Sequence, residues 1–347
     1  KIRQAFDYCI PREQVINGLM QGYALPLATE VGTNILGYDP TVQPRKYNIT
    51  AAKELMAEVF GKTFSNEYGA EPSETVTTTP YFKMTLISPT TNVARTQWAS
   101  MIAFALTDIG VDVELKWWNW NVIMPRLFLD PAEPTGANYA HGGFDAYFIG
   151  FGASADPDYS GQYYNESFAP AGDNSMYVER ADFQAIINAS LSDPVEANRI
   201  AALSDYQEWF YEWVPKSIIR QGLDTFPQDY ELEGFDTYNY GRFPWVHNLT
   251  HPTETTLTSY VPGDFVDFNP LVSNSWYDSV PMSNCFLSLS ARRGIYDLLA
   301  YPQLAESWTQ SADGKNWTIE LKTGMEFSDG HEIDAYDVVE SYRVAMN

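Results

Sequence analysis

Between residues 80 and 151 the hydrophobic period of the sequence changes repeatedly, and that alternation limits the folds open to the chain. Phe82, Met84 and Leu86 recur at every second position, with Ile87 set to bury the opposite face, which predicts a strand over 82–87. Trp98, Met101, Ile102, Ala105, Leu106 and Ile109 then recur at helical spacing up to Gly110. Val111, Val113, Leu115 and Trp117 return to period two, a strand over 111–117 with Trp117 on the core face. A short helix through Met124 and Leu127 leads to FDAYFIGF at 144–151, a nearly continuous apolar strand. Strands that alternate with helices predict an α/β fold whose mainly parallel sheet is covered by helices. In such sheets ligands enter beyond the carboxyl ends of the strands. Here those ends are Ser88-Pro89-Thr90, Trp118 to Trp120, and Gly152 to Asp158.

The flanks read as helices joined by turns. Val15, Ile16, Leu19 and Met20 form a helical face that stops at Gly22, and Thr50 is expected to cap a helix ending at Gly61. Residues 62–80 read as an exposed loop. Two helices are expected at about 180–191 and 194–213, the second opening on Asp193-Pro194. The pattern loosens from Ile218, and HPTETT at 251–256 is the best junction. Trp317, Ile319 and Leu321 then alternate, and Asp334 is expected to cap a helix with Val338, Val339 and Tyr342 on one side.

Charge removes several functions. With 45 acidic against 21 basic residues the formal charge is −24, which argues against nucleic acid and anionic membrane as partners, because both require Lys and Arg to displace counterions. Cys9 and Cys285 make no disulfide framework and no thiolate metal site; one bridge or two free thiols are both open. His141, His247, His251 and His331 lack ligand spacing, so no metal or cofactor is expected. No G-x-S-x-G elbow, phosphate loop or dinucleotide fingerprint occurs, and carboxylate pairs in so acidic a chain do not identify a glycosidase. The expectation is a protein without catalysis. No run approaches the length of a membrane span.

Three stretches carry a resemblance. LAESWTQSADGKNWTIELKTGMEFSDG at 304–330, followed by IDAYDVVESYRVAM, combines Ala-Glu-Ser-Trp, an Asp313-Gly314 turn, an alternating strand and Phe-x-Asp-Gly before a helix. KIRQAFDYCIPREQVINGLMQGYALP at the start and GFDAYFIGFGASADPDY at 143–159 are the other two. Together they resemble the family 5 extracellular solute-binding proteins, the oligopeptide- and dipeptide-binding class that feeds ABC importers. The resemblance implies lobes of the type II periplasmic-binding kind. It also implies an extracellular or cell-surface location, periplasmic in a diderm bacterium, and an ABC permease as partner of a true receptor. The family's order is permuted here: the segment at 304–330 resembles the start of a member, not its end. Residues 1–245 resemble the C-terminal lobe and return segment of one copy, 246–253 a junction, and 254–347 the first part of an N-terminal lobe without its inserted domain. That order implies that the face of the last helix lacks partners within one copy, so that neighbouring copies or further chain complete the lobe.

The same resemblance nominates site residues. Trp120 matches a position that lines the ligand pocket in peptide-binding members, where a flat apolar wall suits stacking; core packing is the alternative. Phe151 stands where the cleft loop often carries Trp, with the same two readings. Ser154 stands near the Asp with which relatives pair a peptide's amino terminus, so the charged anchor is lost. Asp156 and Asp158 flank Pro157, either near the ligand or capping a turn and the next helix. Asp156, Asp158, Ser160 and Gly161 also open like a calcium loop, but position twelve is Ser167 where a bidentate Glu is required. Asn269 and Ser273 resemble the N-terminal lobe's share of the cleft, although an Asn-Pro turn explains the first equally well. The expected function is therefore non-catalytic binding of a peptide or oligosaccharide for import. The alternative is a surface structural or lattice module with a degenerate pocket.

Overall fold

The computed structural model describes residues 1–90, 93–119, 122–123, 126–127, 143–150, 152, 157–163, 174–176, 178–193, 195–223, 228–234, 246, 249–258, 268–271, 276–292, 300–311 and 315–346. The chain divides into two units, Lys1–Leu223 and Asp224–Asn347, the division falling inside the segment read as the return segment.

The first unit opens with α1 (Ile2–Tyr8), α2 (Arg12–Gln14) and a π-helical turn at Val15–Leu19. After β1 (Ala24–Leu25) and a long connection comes α3 (Ile49–Phe60). Its cap is Asn48 and not Thr50: Asn48 is extended, and its side chain accepts the Ala51 N–H at 3.0 Å. Gly61 ends the helix in the left-handed region, as expected. The stretch read as a loop carries two short strands, β2 (Thr63–Phe64) and β3 (Val76–Thr77), paired in parallel.

The alternation predicted from periodicity follows: β4 (Phe82–Pro89), α4 (Val93–Asp108), β5 (Val111–Trp118) and β6 (Ala146–Tyr147). β4 lies at the centre of the sheet, with β5 and β6 both parallel to it. The apolar run at 144–151 yields only a two-residue strand, because Phe144 and Ile149 leave the ladder to pack below the sheet and Phe148 to pack above it. Above the sheet, Met84 and Leu86 join Trp98, Ile102, Ala105 and Leu106 of α4 and residues of α1 and α3 in the largest core. Below it, Ile87 meets Ile123 and Leu127, with Trp118 and Tyr147 alongside. Apolar packing therefore covers β4 on both faces, as a parallel sheet requires, while β5 keeps Asp112, Glu114 and Trp117 exposed.

A second core forms around α5 (Ser160–Tyr163), α6 (Ala181–Ser192) and α7 (Glu196–Trp213), where Tyr163, Phe183, Leu203, Tyr206 and Phe210 pack with Val31 and Ile35. α7 starts later than its Pro suggested, with Val195 at the N-cap position; the Asp193 side chain accepts the Val195 N–H at 2.8 Å. β7 (Gln221–Gly222) closes the unit by pairing antiparallel to β1.

In the second unit, α8 (Trp276–Cys285) precedes two antiparallel pairs, β8 (Ser290–Arg292) with β9 (Ala300–Pro302) and β10 (Ala305–Gln310) with β11 (Trp317–Leu321). α9 (Ala335–Ala345) begins at the expected cap: Asp334 accepts the Asp337 N–H, and the Asp337 side chain answers by accepting the Asp334 N–H. No residue of α9 is buried among the described residues, and Tyr336, Val339 and Tyr342 stand open to solvent.

Candidate functional site

The crevice expected beyond the strands is built by β4 and β5 ending in step. Ser88 pairs with Trp117 and Pro89 with Trp118, and the Thr90 N–H donates to the Trp118 carbonyl at 3.0 Å. Partners in a parallel register share a face, so Ser88 and Trp117 look toward α4, and Ile87 and Tyr147 look toward the core below. Trp117 thus keeps the face that its period predicts but not the core: it is 40% exposed. The first turns of α4 lie there instead of a packed helix face, and Trp117, Thr90, Thr96, Gln97 and Ser100 line a depression of about 370 Å³. Trp118 points the other way, under Arg126, whose guanidinium carbon lies 4.9 Å from its ring centre.

At the β6 edge of the sheet, Arg95 of α4 reaches the residues that follow β6. Its Nη2 lies 3.5 Å from where a side-chain carbon on Gly150 would stand. Burial, and secondly the charge of Arg220, hold the Arg95 guanidinium below its ordinary range. Arg220 itself lies over the Trp98 ring, 5.4 Å from the centre. It is placed there by the β1–β7 pairing that follows it and by Arg12, whose Nε–H donates to the Ile218 carbonyl at 2.8 Å. Arg12 is held in turn by Asp7, a buried carboxylate 2.6 Å from its Nη2 and 3.5 Å from Arg45 Nη1.

α5, which follows the Asp-Pro-Asp stretch, is clamped from beneath. Glu30 accepts hydrogen bonds from the Tyr163 hydroxyl at 2.8 Å and from the Tyr206 hydroxyl, and it pairs with Lys216. Lys216 donates in addition to Gln162 Oε1 at 2.5 Å. Burial first, then the Glu30 charge, drive the Tyr163 and Tyr206 hydroxyls far above the usual phenol range, so both stay protonated as donors.

Of the nominated residues, Trp120, Phe151, Ser154, Asp156 and Ser273 lie outside the described residues. Asp158 is exposed, and its Oδ1 accepts the Ser160 N–H at 2.9 Å, the capping role. Asn269, in the second unit, accepts the Leu271 N–H at 3.0 Å across its Asn-Pro turn. Cys9 and Cys285 are both free, the first buried and the second exposed. Arg95, Arg220 and Glu30 were not anticipated. Arg95 had one signal, a basic residue in a first helical turn, where acids are favoured.

One group has the composition of a metal centre. Asp229, Glu231 and His251 of the second unit bring their ligand atoms within 4.8 Å of one another. His251 Nδ1, however, accepts the Thr253 and Glu254 N–H groups at 3.2 and 2.9 Å, so in the neutral ring the proton sits on Nε2. The nitrogen facing the carboxylates is a donor, the wrong polarity for a ligand.

Residues 1–173 and 300–347 match the model of bacterial extracellular solute-binding proteins, family 5 Middle. A nickel-binding periplasmic protein of Escherichia coli K12 is 44% identical over 46 residues, 13% of this chain and 9% of that protein. A probable ABC transporter-binding protein of Deinococcus radiodurans is 31% identical over 107 residues, 30% of this chain and 17% of that one. The chain thus spans less than a fifth of these relatives. Among solved structures, the oligopeptide-binding protein AppA of Bacillus subtilis, in complex with a nonapeptide, superposes with a TM-score of 0.54 at 19% identity, covering 68% of this chain and 44% of that one. HbpA2 of Haemophilus parasuis gives 0.56 at 16% identity, covering 72% and 44%. At these identities the likeness is one of fold.

Proposed function

The chain belongs to the family 5 extracellular solute-binding proteins and has the α/β architecture of type II periplasmic-binding folds, and from that premise we propose that it binds a peptide or similar oligomeric solute, without chemistry, for an ABC-type importer. Members of this family act outside the cytoplasm or in the periplasm, and no helix among the described residues is long and apolar enough to cross a membrane. The observation that carries the reading is the open depression beside Trp117 at the carboxyl ends of β4 and β5, where a parallel sheet receives its ligand. Trp117 offers it an aromatic wall, and Trp120 and Phe151 are the further aromatics assigned to it. Asp156, Asp158 and Ser154 are proposed for the same lining, and Asn269 and Ser273 are proposed as ligand-binding residues of the second unit.

The proposed lobes are those of the permuted order: 1–245 the C-terminal lobe and return segment, 246–253 the junction, 254–347 the front of an N-terminal lobe. The exposed face of α9 supports the view that further chain or a neighbouring copy completes that second lobe. Ser in place of an acid at 154 favours a second reading, a surface lattice module whose pocket has lost its ligand. Denaturing the purified protein and identifying released small molecules by mass spectrometry separates the two. A receptor releases a solute, and a Trp120→Ala variant binds it more weakly by about 1–3 kcal/mol. Release of nothing, together with unchanged affinity in the variant for any solute later supplied, removes the receptor reading.

A further inference from the structure

We propose that the chain is an acceptor of N-linked glycans and that its fold selects Asn48 and Asn316 as the modified residues. The inference rests on the location outside the cytoplasm given above, not on what the protein binds. The Asn-x-Ser/Thr pattern read by glycan transferases occurs at Asn48, Asn165, Asn188, Asn248 and Asn316. Asn165 and Asn248 lie outside the described residues. The other three differ in what folding leaves within an enzyme's reach.

A carboxamide nitrogen is a weak nucleophile, because its lone pair is shared with the carbonyl. Transfer therefore needs an enzyme that holds the amide and the hydroxyl two residues on at the same time. The co-reactant is an oligosaccharide joined through phosphate to a polyprenyl lipid. Asn Nδ2 attacks the anomeric carbon, and the N–C bond forms as the bond from that carbon to the phosphate oxygen breaks. One amide proton passes to a base of the transferase, and the lipid phosphate leaves with the bonding electrons.

Asn48 meets these demands without loss to the fold. It is exposed and extended at the N-cap of α3, and only its Oδ1 is engaged, by the Ala51 N–H at 3.0 Å. A glycan on Nδ2 leaves that oxygen free to accept, so the cap survives modification. Thr50, which supplies the hydroxyl, is exposed as well. Asn316 sits where the chain enters β11. Its N–H donates to Ser311 Oγ at 3.0 Å and its carbonyl accepts the Ser311 N–H at 2.8 Å, so the backbone is fixed while the side chain stays exposed. Thr318 is exposed two residues on, and residues two apart along a strand share a face. Asn188 is the contrast. It lies inside α6, and although it is exposed, Ser190 is 2% exposed and spends its hydroxyl on the Ile187 carbonyl at 2.8 Å. A transferase meeting the folded chain finds no hydroxyl to read there.

The test takes the full chain from its source cells after fractionation. Trypsin places the three sites on separate peptides, 47–53, 181–199 and 316–322, and fragmentation mass spectrometry reads each. Peptides 47–53 and 316–322 should carry a whole number of sugar residues on their asparagine, and 181–199 should carry none. Thr50→Ala and Thr318→Ala, expressed in the same cells, keep the asparagine, and each should strip the glycan from its own peptide alone. Thr50→Ser and Thr318→Ser should retain it, which separates loss of the hydroxyl from loss of fold. One bare peptide of the two overturns the assignment of that residue. Both bare, in protein recovered outside the cytoplasm, overturn the inference and leave the receptor reading standing. Sugar on 181–199 as well shows transfer to an unfolded chain and overturns selection by the fold. Recovery from the cytoplasm alone removes the location on which both readings rest.

Discussion

Cys9 lies at the junction of α1 and the main core with no exposure, and burial, followed by the charges of Asp108 and Asp7, pushes its thiol up to about 12. Iodoacetamide at neutral pH should therefore label Cys285 alone, with Cys9 reacting only after urea unfolds the chain; labelling of native Cys9 would show that the core opens. Asp182 is a second residue-scale test. The Arg180 guanidinium grips it at 2.9 and 2.6 Å, and with the Phe183 N–H holds its carboxyl down at about 2. A lowered folded value means stability present above the unfolded value of about 4 and lost as pH falls through 2. Half of the side chain is exposed, so the gain is under about 1 kcal/mol. Urea melts of Asp182→Asn should differ from the parent at pH 5 and converge near pH 2; a gap that persists in acid would rule out the charge as its source. At this scale the sequence was partly legible. The turn roles of Asp158 and Asn269 follow from Asp and Asn beside Pro. Trp117 was misjudged because period two reports which face a side chain takes, not whether anything covers that face. Glu30 left no trace, since an acid in a loop looks solvated until three distant donors close on it.

Elements were more legible than their ends. The helix over α4 and the strands β4 and β5 follow directly from periods of 3.6 and 2. The cap of α3 was misplaced because capping depends on which backbone residue is extended, and Asn48 and Thr50 are equally suitable side chains. β6 was overlong because apolar character also serves packing, and Phe144 and Ile149 fill a core without pairing. The turn from α4 into β5 depends on Gly110, at φ +91°. A side-chain carbon there would stand 2.8 Å from the Phe64 and Tyr81 rings. Gly110→Ala should cost about 2–4 kcal/mol in urea unfolding, backbone strain and steric overlap combined. Gly61 shares the left-handed conformation at φ +77° but has open space around it, so Gly61→Ala should cost only about 1 kcal/mol. Equal costs at the two sites would mean that the rings beside Gly110 give way freely.

For the whole molecule the dominant global quantity is its charge of −24. Self-repulsion opposes the compact state, and salt screens it. The melting temperature should rise between 20 mM and 500 mM NaCl, by about 2 °C for each kcal/mol of repulsion relieved; a fall would place attractive exposed ion pairs such as Lys83–Glu114 ahead of net charge. Membership of the family was legible because its signatures are local hairpins and strands, whereas the cleft lining depends on loops from several elements. The clamp on Glu30 also carries a chronology. Its partners Tyr163 and Tyr206 lie 133 and 176 residues further along, and the Thr33 N–H waits 188 residues for Gln221. On the ribosome, at roughly 5–20 residues per second, the segment around Glu30 spends on the order of ten seconds or more as an unclosed loop before Tyr206 emerges. The second core can therefore assemble only once most of the first unit has been synthesised.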